Sequence, residues 1–209
     1  MCDGDPTGSN AAALRAWRRA TRDALIAARL ALPHLTREAH RKRIDQHLEQ
    51  AFPDLAVGIV AFCWPYRNEY DGRFLARRLR ERGALTALPV VIAPRTPLVF
   101  REWHPGVRLA HGVYDIPYPA DGPAVQPTTV LLPMVAFDAA GYRLGYGGGF
   151  FDRTLAAMVD RPRVIGVAHE LARIPTIHPQ PWDIPMDFVV TELGVYVRRN
   201  GRLDFSPPL

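Results

Sequence analysis

Apolar residues recur at helical spacing between Ala11 and Leu32, at Leu14, Trp17, Leu25, Ala28 and Leu32. Arg15, Arg18, Arg19, Arg22 and Arg29 fall between them, so the pattern predicts an amphipathic helix with a basic face. Most of those arginines are expected to face solvent. Thr36 opens a second predicted helix that runs to about Ala51. Its capping box is partial, because Ala39 stands where Glu or Gln belongs and Glu38 comes one place early. After Pro53 the period changes. Leu55–Cys63 reads as a buried strand, Asp71–Arg82 as a helix with Phe74, Leu75 and Leu79 inward, and Gly83 as its stop. Leu85–Ile92 and the shorter Leu98–Arg101 read as strands, followed by a Pro- and Gly-rich loop from His104 to Pro127. Thr129–Phe137 is a third strong strand, with a turn at Asp138–Gly141. A helix is expected from Phe150 to about Val159, and further strands at Val164–Ala168, Phe188–Thr191 and Val195–Arg198. This alternation predicts an α/β fold, a mostly parallel sheet flanked by helices. There is no internal repeat and no dividing linker, so residues 11–209 are expected to form one domain behind a flexible tail at 1–10.

Composition narrows the class. The chain has 209 residues, 48% hydrophobic and 22% charged, which suits a globular core. Its longest apolar runs fall far short of the ~20 residues that span a bilayer, and its first residues lack a secretory pattern. Cys2 and Cys63 cannot build a disulfide framework, and they read as reduced thiols of a cytoplasmic protein. The net charge is +5, and Lys42 is the only lysine, so any phosphate clamp must use arginine and backbone amides. Mixed charge without a basic–aromatic module argues against nucleic acid. None of His104, His111, His169 and His178 shows a metal-ligand spacing or a paired nucleophile.

The most informative stretch is Leu131–Arg153, LLPMVAFDAAGYRLGYGGGFFDR. A strand delivers a turn, and Gly145, Gly147, Gly148 and Gly149 then precede a helix. Such a loop lets backbone N–H groups approach an anion at a helix N-terminus. Asp152, in the first helical turn, is suited to Mg²⁺ beside a polyphosphate, or simply to capping the helix. On glycine content alone a plain turn with a capping Asp remains the better account, since there is no Walker lysine and no G-x-G-x-x-G.

The whole segment AFD-x-x-GYRLGYGGGFFDR resembles the signature of the 5-formyltetrahydrofolate cyclo-ligase (methenyltetrahydrofolate synthetase) family. Leu14–Arg15, FCWPYRNEYD (Phe62 to Asp71), ALPVV to LVFREW (Ala87 to Trp103) and WDIPMDFVVTE (Trp182 to Glu192) resemble further family segments in matching order. The resemblance implies a single α/β domain of the type shared with sugar-phosphate isomerases and CoA transferases. It also implies ATP- and Mg²⁺-dependent closure of 5-formyltetrahydrofolate to 5,10-methenyltetrahydrofolate through phosphorylation of the formyl oxygen. Implied for ATP are Arg15 and the run Arg143, Leu144, Gly145, Tyr146, Gly147, Gly148, Gly149, Phe150 and Phe151. Implied for the folate are Trp64, Glu69 and Tyr146 to Phe150, with Arg101 and Trp103 as weaker candidates. Asp152 and Asp183 are implied for Mg²⁺, and Arg143, Tyr146 and Asp152 as catalytic. The implied partners are small molecules, with neither nucleic acid nor membrane, in a monomer or weak homodimer. The chain departs from the family pattern at Ala11, where a lysine is usual, and at Phe150–Phe151, where a tyrosine pair is usual. It departs also at Thr128–Thr129, Met134 and His111–Gln126. With Ala11 in place of lysine, Arg18 or Arg19 is expected to supply the phosphate cation. The alternative function is a relative that binds folate or nucleotide with weak or no turnover, or that acts on another N-formyl compound.

Overall fold

β-branched and aliphatic runs bounded by Gly and Pro fold here into adjacent strands. A computed structural model describes residues 6–207, with side chains from residue 11 onward. In chain order the elements begin with α1 (Pro6–Leu30), α2 (His34–Ala51), β1 (Ile59–Ala61), α3 (Arg73–Glu81), β2 (Leu85–Val90) and β3 (Val99–Glu102). Next come β4 (Leu109–His111), β5 (Pro117–Pro119), β6 (Ala124–Val125), β7 (Thr129–Pro133), β8 (Ala136–Asp138), β9 (Arg143–Leu144) and α4 (Phe150–Ala157). The chain closes with β10 (Arg163–Val167), β11 (Arg173–Ile174), β12 (Phe188–Thr191), β13 (Gly194–Arg199) and β14 (Arg202–Ser206).

The main sheet has nine strands in the order β14-β13-β12-β10-β7-β1-β2-β3-β6. Only its centre, β12-β10-β7-β1-β2, is parallel. Antiparallel strands extend both ends, so the expected mostly parallel sheet is in fact mixed. A second sheet, β11-β8-β9, stands apart from it.

Alternating side chains build two cores, as the pleat requires. Val60, Leu131, Ile165 and Val190 face α2 and α3, with Leu48, Leu75 and Leu79. Ala61, Val130, Leu132, Val164 and Val189 face Leu155 of α4 and Phe137 of the small sheet. Truncating a fully buried residue such as Leu132 or Ile165 to Ala costs about 2–5 kcal/mol. Leu25 of α1 packs against the small sheet with Ala136, Leu144 and Ile177. Among the described residues no helix is long and apolar enough to cross a membrane.

Several expected elements change. Residues Pro6–Asn10, expected in the tail, belong to α1, whereas Met1–Asp5, with Cys2, lie outside the described residues. The run at Leu55–Cys63 splits into a 3-10 turn at Pro53–Val57 and β1. Gly58 lies between them, packed so closely on Thr128 that a Cβ would meet its hydroxyl at 2.4 Å. Thr129–Phe137 breaks at Met134, where the chain leaves the main sheet and Val135 N–H bonds Leu144 C=O at 2.9 Å. Phe74 points outward at 44% exposure, with the Arg41 guanidinium 4.1 Å from its ring centre. Helix α2 begins at His34, two residues ahead of Thr36, and has no side-chain cap.

Candidate active site

The carboxyl ends of β1, β7 and β10 lie side by side and deliver Glu69, Met134 and His169 to one crevice, the usual ligand position of a parallel sheet. Glu69 is anchored on both flanks. Tyr70 donates to Asp45 of α2 at 2.5 Å, and Asn68 Oδ1 accepts from Arg37 at 3.0 Å. The Glu69 side chain is only 4% exposed. It accepts from Tyr146 Oη at 2.9 Å and from Tyr66 N–H at 3.2 Å, with Arg29 Nη2 3.8 Å away. Burial raises its pKa to about 7 against the pull of Arg29, Tyr146 and the Tyr66 amide. Trp64 is half-buried near this loop, under the Arg73 guanidinium at 4.6 Å.

The glycine loop leads from β9 into α4. Gly147 (φ +94°) and Gly149 (φ +62°) occupy conformations that side chains rarely adopt. Among the described residues, the amides from Gly145 to Phe150 donate no hydrogen bond to protein, so the loop offers a row of free N–H groups ahead of α4. Arg153 closes over it, bonded to Gly148 C=O and 5.4 Å from the Phe150 ring centre, with its buried Nε unpartnered. Phe151 packs partly into the second core.

Helix α1 supplies what the sequence pattern hid. Arg15, Arg18, Arg22 and Arg29 lie at offsets of three, four and seven, on one face. Arg29 is buried, giving hydrogen bonds to Tyr146 Oη (2.6 Å), Met134 C=O (3.0 Å) and Arg67 C=O (2.9 Å). Arg22 donates to Gly145 C=O at 2.6 Å, and its Nη2 lies 3.5 Å from where a Cβ on Gly147 would stand. Burial and the neighbouring Arg18 both lower its pKa. Arg18 pairs with Asp183 Oδ2 at 2.7 Å. The expected solvent-facing stripe therefore holds only for Arg15 and Arg19, while Trp17 and Ala28, expected inside, are exposed.

Arg143 is buried between two chain segments, giving hydrogen bonds to Asp152 Oδ1 at 2.8 Å and Ile184 C=O at 2.7 Å. Asp152 Oδ1 also accepts Ile184 N–H at 3.0 Å, and Asp183 Oδ2 accepts Gln180 N–H at 2.8 Å. Among the described residues each carboxylate thus has its other oxygen free of protein hydrogen bonds, a hard donor set suited to Mg²⁺. Trp103 sits in the core against Phe62, and Arg101 ties down Pro119 and Ala120, so neither joins this site.

A family model described as the 5-formyltetrahydrofolate cyclo-ligase family matches residues 14–192. The chain belongs to that family. It is 33% identical to the 5-formyltetrahydrofolate cyclo-ligase of Escherichia coli over 69% of this chain and 83% of that one. With the enzyme of the same name from Mycolicibacterium smegmatis it is 29% identical, over 81% and 91%. Its fold resembles the solved 5,10-methenyltetrahydrofolate synthetase of Aquifex aeolicus, with a TM-score of 0.75, 27% identity, and 88% and 94% of the two chains covered. The family match takes in Arg15, the glycine loop, Glu69 and Asp183. The helical period alone puts Arg22 and Arg29 in a largely solvent-facing stripe, and no sequence feature gives Tyr66 or Arg153 a role of its own. For the arginines the available signal was their common helix face and the arginine one turn into α4.

Proposed function

We propose that this chain joins ATP to 5-formyltetrahydrofolate and releases 5,10-methenyltetrahydrofolate, ADP and phosphate. A formamide carbonyl is a poor electrophile and its oxygen a poor leaving group. Transfer of the γ-phosphoryl group to that oxygen lets it depart as phosphate after the neighbouring amine attacks and closes the ring. The protein's task is then positioning and charge neutralisation. One observation carries the proposal: Tyr146, inside the glycine loop, hydrogen-bonds Glu69, so phosphate cradle and pterin pocket share a residue.

In this reading the free amides from Gly145 to Phe150 bind the ATP phosphates, flanked by Arg22 and Arg153 in place of the usual lysine. Arg15, exposed further along α1, meets the nucleotide. Leu144 is buried and supports the loop from beneath, with Phe151 as a packing residue. Asp152 and Asp183 hold Mg²⁺, which cancels charge on the phosphates. Arg143 and Arg18 act as positioning residues for those carboxylates. Glu69 and Tyr146, aligned by Arg29, bind the polar edge of the pterin, and Trp64 lines its pocket.

Mixing the purified protein with ATP, Mg²⁺ and 5-formyltetrahydrofolate and following methenyl absorbance tests the proposal. Growth of that absorbance with stoichiometric ADP is expected. Tight binding of both substrates without product instead assigns the chain to the non-catalytic alternative, which the Phe150–Phe151 pair favours by removing two hydroxyls from the cradle.

A further inference from the structure

On the α2 side of this crevice, and sharing His169 with it, α2, the turn after β10 and the end of β12 bring together three ligand-bearing side chains. His40 Nδ1 lies 3.1 Å from His169 Nδ1 and 3.5 Å from Glu192 Oε1, and the three donor atoms fall within 4.8 Å of one another. Two nitrogens bound to one tetrahedral zinc at ~2.0–2.1 Å stand roughly 3.4 Å apart. The cluster is therefore already close to coordinating spacing. The outer atoms are fixed as well. His169 Nε2 faces Asn68 C=O at 3.3 Å, and a carbonyl only accepts, so the ring proton sits on Nε2 and the Nδ1 lone pair points to the cluster. Glu192 Oε2 accepts Glu170 N–H at 2.9 Å, which turns Oε1 inward. Such outer-shell bonds orient metal ligands. His169 and Glu192 are buried, while the His40 side chain keeps 19% exposure and leaves a way in.

We propose that His40 Nδ1, His169 Nδ1 and Glu192 Oε1 form a site for a divalent transition ion of the zinc class, with the remaining coordination open to water. Two imidazoles and one carboxylate select such an ion over Mg²⁺ or Ca²⁺, which take oxygen ligands. Binding exchanges a hydrogen bond for two metal–nitrogen bonds: the proton between the two Nδ1 atoms leaves His40 Nδ1 as that ring takes its Nε2–H tautomer. Because His169 also holds Asn68, the ion would brace the segment carrying Glu69 from behind. The site is distinct from the Asp152–Asp183 pair.

Tag-free protein, stripped with a chelator and dialysed, is titrated with Co²⁺ by visible absorption and then with Zn²⁺ by competition. Expected are one equivalent of Co²⁺ with d–d bands, displacement by Zn²⁺ but not Mg²⁺, and a Tm raised by several degrees. His40→Ala, a helix-compatible change at a partly buried position, is expected to weaken Co²⁺ binding about a hundredfold while metal-free Tm and turnover with Mg²⁺ stay near the parent. Glu192→Gln keeps an acceptor for Glu170 N–H and is expected to lose at least tenfold. Absence of stoichiometric Co²⁺ binding, or binding undiminished in both variants, overturns the proposal.

Discussion

Asp152 divides its two oxygens between structure and proposed chemistry. Oδ1 satisfies Arg143 and Ile184 N–H, and Oδ2 stays free of them. Replacement by Asn keeps an acceptor of the same shape but removes the charge that compensates a buried guanidinium. Turnover is expected to fall at least a hundredfold, the scale of losing a transition-state charge partner. Stability is expected to drop by about 3 kcal/mol, because the Arg143 side chain is only 5% exposed and would be left unpaired. Adding Arg143→Met to Asp152→Asn separates the two effects. Tm is expected to recover in part, whereas turnover stays lost. A double variant that regains activity would remove Asp152 from the metal assignment and make the ion pair its only role.

Helix α1 shows how an element can mislead when read by period alone. Its apolar positions suggested a greasy side turned inward and arginines turned out, which is the usual economy of an amphipathic helix. The helix instead lies over the glycine loop, and among its described side chains the buried ones are Ile26 and Arg29. Carbonyls, Tyr146 and Asp183 accept hydrogen bonds from the guanidiniums there, which offsets part of the cost of desolvating them. No pattern in one chain reveals partners more than a hundred residues away. The glycine loop was legible because its constraint is local: Gly147 and Gly149 need positive φ, and the next residues start a helix. Two predictions follow from this pairing of α1 with the loop. Arg22→Met is expected to raise KM for ATP about tenfold or more, with KM for the formylfolate nearly unchanged; equal rises in both would place Arg22 outside the phosphate site. Gly147→Ala strains the backbone by about 1 kcal/mol or more and is expected to raise KM for ATP with only a small fall in Tm.

At the scale of the molecule, the parallel centre of the sheet was readable from runs such as Val164–Ala168, since strands buried on both faces are continuously apolar. The edges were not. Strand β14 alternates polar and apolar residues at an exposed rim, and its one clear signal is Asn200–Gly201, which joins Arg199 to Arg202 as a two-residue hairpin with positive φ at both positions. Glu69 illustrates the same divide: its position in sequence looks like a solvated loop, and three neighbouring strand ends bury it. That burial couples the pocket to global stability. The Glu69 carboxyl titrates at about 7 in the folded chain against an ordinary 4.5, so the folded state holds the proton more tightly than the unfolded one. Stability is then greatest below the unfolded value and is lost as pH rises from about 4.5 to about 7, by about 3 kcal/mol, before levelling off. Glu69→Gln preserves the side-chain length and cannot ionise. Thermal melts of both proteins between about pH 5 and pH 8 are expected to show the variant gaining several degrees on the parent as pH rises. Parallel curves across that window would mean that Arg29 and Tyr146 already keep the carboxylate ionised, and that Glu69 meets its ligand as an acceptor only.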